Sequence, residues 1–154
     1  MPLLNLPNNT LLIITPLSGI SSLTLTPYAV RGLTQTLEPI IGSALLVRRD
    51  VSGMLHDLTY PPFRKYQSTI SCSDQNTPCL DDAWIGQQCS VECAAELNYP
   101  LGGTPFRPVV PGSIRGEGHF EYYRPILTMM VKAIKNTFRE WRAEYAWQID
   151  LEET

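Results

Sequence analysis

Cysteine, histidine and clustered acids are where this sequence could do chemistry. Cys72, Cys79, Cys89 and Cys93 follow the spacing C-x6-C-x9-C-x3-C. That lacks the two paired C-x2–4-C knuckles that pinch a tetrahedral zinc ion. On a strand, Cys89 and Cys93 lie on one face about 13 Å apart, too far for a shared ion or a mutual bond. They read as small buried apolar residues. Cys72 and Cys79 flank the polar loop Ser73–Pro78 and form a candidate disulfide. Closing that eight-residue span would add about 2.5 kcal/mol in the chain-entropy model. A reducing cytosol would keep them as thiols; a particle that leaves the cell could oxidise them.

His56-Asp57 beside a serine sketches a hydrolytic triad on paper only, because a triad needs nucleophile, base and orienting acid within hydrogen-bond reach. A hairpin histidine half in solvent is the plainer reading, and His119 stands far from it in sequence. Asp74, Asp81 and Asp82 lack the order of a hand-type calcium loop and read as a solvated turn. The basic pairs Arg48-Arg49 and Arg64-Lys65 read as charges that guard edge strands against aggregation. No phosphate-cradling glycine loop or dinucleotide fingerprint is present. The expectation is a protein without catalytic residues, metal or cofactor.

The elements that would position such residues are short. The chain has 154 residues, 44% apolar and 18% charged, with 13 prolines and 10 glycines that break it too often for long helices. Its length suits one domain with a sizeable core. A net charge of −3 removes the electrostatic case for general nucleic-acid binding. No apolar run approaches the roughly 18 residues of a membrane-spanning helix. Leu11–Ile14 is short, has no basic residue ahead of it, and does not read as a secretory leader, so assembly in a cytosol is expected.

Residues 1–30 carry no charge, and Pro2, Pro7, Pro16 and Pro27 interrupt them. Such a segment either adds edge strands, near Leu11–Thr15 and Leu23–Thr26, or orders against another subunit. Leu11, Leu12, Ile13, Ile14, Leu23 and Leu25 are therefore candidate interface residues. Residues 31–154 read as a β domain. Ser43–Arg48 and Met54–Leu58 make a hairpin around Asp50–Gly53, and Phe63–Ser71 is a weaker strand. A polar loop covers Ser73–Trp84. Gln88–Leu97 alternates, with Cys89, Val91, Cys93 and Ala95 on one face. Tyr99–Gly118 is a long Gly/Pro-rich connection of the kind that lies on a neighbour, which adds Pro105, Phe106 and Pro108 to the candidate interface. Trp141–Glu152 alternates with Ala146 alone out of pattern, giving a strand with an aromatic face, although a helix could start at Phe138–Trp141. Its partner is Pro125–Lys135, with Leu127, Met129, Val131 and Ala133 on one face and a turn at Asn136-Thr137. The pattern adds up to an all-β, antiparallel sandwich or barrel with an extended N-terminal arm.

Several phrases resemble segments of small virion proteins from tailed bacteriophages, of the minor-tail or tail-attachment kind. They are Ala29–Leu37, Phe63–Tyr66, Ser71–Gln75, Trp84–Gly86, Val91–Leu97, Tyr123–Pro125 and Glu140-Trp141 running into Leu151–Glu153. The resemblance implies a β-rich, non-enzymatic structural component present in multiple copies. Its expected place is the virion, in the tail, tail tip or neck, assembled in the host cytoplasm. Its expected partners are copies of itself and other virion proteins, with no specific nucleic acid and no membrane span. A capsid decoration protein is one alternative. A freestanding binding module holding a saccharide or peptide with Trp84, Tyr122, Tyr123 or loop aromatics is the other.

Overall fold

The structure, a computed structural model, describes residues 11–17, 32–40, 47–58, 62, 64–78 and 83–154. Every ladder in it is antiparallel, as the alternating patterns predict. Six strands form the main sheet: β1 (Ile13–Pro16), β2 (Thr34–Pro39), β5 (Tyr66–Asp74), β6 (Gln88–Glu92), β10 (Ile126–Arg139) and β11 (Glu144–Glu153). Their spatial order is β1-β6-β10-β11-β5-β2. A separate hairpin pairs β3 (Val47–Arg49) with β4 (Leu55–Asp57), and a three-stranded sheet orders β7 (Leu97–Pro100), β9 (Phe120–Tyr123) and β8 (Arg115–Glu117).

The core is one face of the six-stranded sheet. Ile14 aligns with Val91 and Leu127, Cys89 with Met129, Val131 with Leu151 and Ser68, and Trp147 with Cys72. All are buried. The period-two pattern dictates this, because alternate residues of a strand must share a face. In a flat sheet β2 and β6 would lie four strand spacings apart, about 19 Å. Yet Gln35 of β2 accepts hydrogen bonds on Oε1 from the amides of Ala94 and Ala95, just past β6, at 2.7 and 3.1 Å. Its Nε2 donates to Oγ of the buried Ser68 at 3.2 Å. The sheet therefore curls until its two sides meet across the core. Among the described residues β1 and β2 do not pair with each other, so the ladders themselves define neither a closed barrel nor a stacked sandwich.

Four details correct the sequence reading. First, Asn136 and Thr137 are not a turn: they pair with Trp147 and Ala146 inside a long β10–β11 ladder. The chain reverses at a 3-10 turn, Glu140–Arg142, closed by Ala143 in the left-handed region (φ 47, ψ 42). Trp141 thus sits in the turn and not on the strand, because the β5 ladder ends at Asp74–Tyr145 and offers it no neighbour. Second, a bulge between Val131 and Ala133 shifts the phase of β10. Leu127, Met129 and Val131 face the core before it, and Ile134 packs there after it, in the place predicted for Ala133. Third, Gln88–Leu97 is two strands in different sheets. The β6 ladder runs on one step, the Cys93 amide donating to Pro125 O at 3.0 Å, and the chain then bends at Ala94 and Ala95 into β7. Fourth, the predicted long connection contains the end of β7 and all of β8, which leaves residues 101–114 as the loop. Arg115-Gly116-Glu117 has no apolar alternation to betray a strand; the Gly118-His119 turn, with Gly118 at φ +65, joins it to β9.

Candidate interaction surface

The N-terminal candidates divide by strand parity. Leu12 and Ile14 are buried in the chain's own core, while Leu11 is exposed and Ile13 half-buried. As an edge strand on β6, β1 spends its inward residues on the core, so of the described N-terminal candidates Leu11 and Ile13 remain for a partner. Arg124 secures the segment by donating to Leu11 O at 2.9 Å. Leu23 and Leu25, with the expected strand Leu23–Thr26, lie outside the described residues. So does Cys79, and with it the candidate disulfide; Cys72 is buried on β5.

The 101–114 loop is pinned by Arg107. Its Nε and Nη2 reach Glu153 Oε1 and Oε2 at 3.2 and 3.1 Å, and Nη2 also donates to Arg64 O at 2.8 Å. The guanidinium lies 4.7 Å from the Tyr66 ring centre, and the Tyr66 amide donates to the same Glu153 carboxylate. The Ile126 and Val110 amides donate to Pro108 O and Arg124 O. With Arg107 turned inward, its neighbour Phe106 points out and is 95% exposed. Pro105 is half-buried beside it and Pro108 exposed.

The end of the β10–β11 hairpin is the second display. Trp141 at its turn is 99% exposed. Phe138, 53% exposed, rests on Tyr145 with ring centres 4.6 Å apart. Arg139 pairs with Glu144 at 3.7 Å, and Ser73 donates to Glu144 at 2.6 Å. The sequence pattern puts Trp141 and Tyr145 together on one aromatic strand face. Missing from it were Phe138 as a surface residue and Arg107 and Gln35 as anchors. Trp141 did carry a signal, standing between Glu140 and Arg142.

The aromatics proposed for a saccharide or peptide site do not form a platform. Tyr123 is buried and meets Tyr99 edge-on at 5.6 Å. Tyr122 is covered by Arg115, 4.4 Å from its ring centre, which also bonds Glu96 and Glu117. Those bonds hold the Glu96 carboxyl below its ordinary range. Trp84 alone of the three stands free, 76% exposed.

Several of the described groups with catalytic potential have other partners. His56 Nε2 pairs with Asp50 Oδ2 at 2.9 Å, not with Asp57 as a triad would need. Ser52 Oγ donates to Asp50 Oδ1 at 2.5 Å, and so is turned to that carboxylate and not to the imidazole. The Ser52 hydroxyl, then His56, lower the Asp50 carboxyl to about 2. Cys89 and Cys93 are free buried thiols, pushed up to about 11 by burial, with Sγ near Met129 O and Val91 O. Among the described residues no group of three or more His, Cys, Asp or Glu could hold a metal ion. No helix there is long and apolar enough to cross a membrane.

No protein family, curated protein or solved structure matches the chain.

Proposed function

We propose that the protein is a non-enzymatic structural subunit of a bacteriophage virion, placed in the tail, tail tip or neck, that works by binding copies of itself and other virion proteins. The observation that carries the assembly part is Trp141, almost wholly exposed at the tip of a projecting hairpin. A tryptophan there leaves a large apolar area in water, and large aromatics at the centre of an interface contribute most to association. Phe106, on a loop held by Arg107, offers a second anchor of the same kind. Both stand on elements fixed before any partner arrives, which lowers the ordering cost of binding. The phage part rests on the resemblance of the quoted sequence segments.

Sedimentation and negative-stain microscopy of the purified chain test the reading. Rings or other multimers are expected, and Trp141→Ser with Phe106→Ser should shift them towards smaller species. A lone monomer at all concentrations, gripping a saccharide or peptide through Trp84, would overturn it.

A further inference from the structure

The β6 ladder on β10 ends at Gln88–Met130, and only Gly86 and Gln87 extend it, bonding Val131. Among the described residues, no backbone group pairs with that side of β10 from Ala133 to Arg139, and the Asn136 side chain donates from Nδ2 to Thr77 Oγ1 at 3.4 Å. An open strand edge is a template for another strand. We propose that two copies of the chain pair antiparallel along this edge, with Asn136 on the two-fold axis, so that the six-stranded sheets join into one. The proposal rests on the assembly reading above and gives it a register.

A two-fold axis perpendicular to the sheet keeps each residue on its own face. Directly opposed residues must then have numbers of the same parity. Centring on Asn136 sets Ile134 opposite Phe138, Lys135 opposite Thr137 and Ala133 opposite Arg139, with Lys132 coming near Glu140. Ile134 already packs against the core and Phe138 is half exposed, so the pair extends the apolar face over the uncovered ring. Neighbouring registers fail on charge. Moving the axis to Lys135 sets that lysine against itself, and moving it to Thr137 sets Lys135 against Arg139. Moving it to Ile134 or Phe138 runs the ladder into the bulge or the turn. Like charges directly opposite are destabilising and opposite charges favourable, so this stretch specifies one register.

Cysteine cross-linking tests it in the full chain, with the unsubstituted protein as baseline. Opposed residues in such a ladder have Cα atoms about 4.5–5.5 Å apart, within disulfide range. Asn136→Cys should give a covalent dimer on mild oxidation. Lys135→Cys should not link to itself but should link to Thr137→Cys when the two are mixed. Thr137→Lys, an exposed change, brings two like-charge pairs into each dimer and should weaken association by about 2- to 30-fold. Adding Lys135→Glu should restore it.

Equal linking at all positions, or none at Asn136, overturns the register. If multimers persist in that case, the assembly reading survives and this edge is not the interface. If the chain is then a monomer, both readings fall. Strong amide protection of 133–139 in a monomer would mean that the chain covers its own edge, and that also overturns the proposal.

Discussion

Gln35→Ala is the sharpest test of how the sheet closes over its core. Gln35 is the one polar side chain of β2 on the core face, opposite Ile70 and flanked by Leu33 and Leu37. It makes three bonds: two accepted from the Ala94 and Ala95 amides and one donated to Ser68, whose hydroxyl is buried. Each intramolecular hydrogen bond contributes about 0.5–1.5 kcal/mol net, and a buried partner left unsatisfied raises the cost. The two amides are only half-buried, so water can partly replace the carbonyl. The sum is about 2–4 kcal/mol, which at a urea slope of about 2 kcal/mol/M lowers the midpoint by about 1–2 M. Urea titration at fixed protein concentration reads that loss, and amide exchange at Ala94 and Ala95 locates it. Gln35→Glu keeps the acceptors but loses the donor to Ser68 and brings a charge beside Cys93, so it should fall between wild type and alanine. A midpoint within 0.2 M of wild type in the alanine variant, with both amides still protected, would refute the bridging role, as ~0.4 kcal/mol is less than one ordinary hydrogen bond.

Three further outcomes are expected. Cys89 and Cys93 have raised pKa values, so the folded chain holds protons that the unfolded chain releases; stability should be flat below the ordinary thiol range near 9 and fall as pH rises towards about 11. Thermal melts from pH 7 to 11 check this, and alkylation followed by mass spectrometry should find both thiols protected until the chain unfolds. Asp50 has the opposite sign: its lowered pKa favours the β3–β4 turn above the ordinary carboxylate range, and that support is lost as pH falls through about 2. Carboxyl chemical shifts with acid titration should show it, with disorder confined to residues 47–57. Ala143→Gly should raise stability by about 0.5–1 kcal/mol, because an L-residue is strained at the left-handed conformation that glycine adopts freely; calorimetry reads the change.

The fold class was legible because alternation reports burial directly. Trp147, Ile149 and Leu151 announced the inner face of β11, and Cys89 and Val91 that of β6. What alternation cannot report is where a strand stops having neighbours. Trp141 continues the phase of Tyr145 and Trp147, yet it lies beyond the last residue of β5 that could flank it. The bulge at Lys132 is equally silent, since Ala133 and Ile134 both suit a core. Polar anchors escaped for a related reason. Gln35 and Arg107 bond partners 59 and 46 residues away, and no local pattern encodes a long-range bond. The N-terminal interface candidates were read from lack of charge, which does not distinguish an arm from an edge strand. β1 answers for Leu12 and Ile14, which fill the core.

The two long strands also explain why a projecting edge can be tolerated. β10 has 14 residues and β11 has 10, while β6 has only 5. The outer part of the hairpin must therefore stand with fewer neighbours than the sheet behind it. β5 flanks β11 as far as Tyr145, so this part is three-stranded and the hairpin is open only on the β10 side. Continuity with the six-stranded ladder, the Phe138–Tyr145 contact and the Arg139–Glu144 pair support the hairpin. Such an edge invites indiscriminate pairing, and natural sheets counter that with cations along it. Lys132, Lys135 and Arg139 lie along it on β10, Lys132 paired to Glu152 and Arg139 to Glu144. Their spacing repels a copy that arrives two residues out of register, while the Asn136-centred alignment separates them and sets Lys132 near Glu140. The charges that protect the free chain are thus the ones that select its partner, which is how specificity arises when an attractive surface also carries a repulsive pattern.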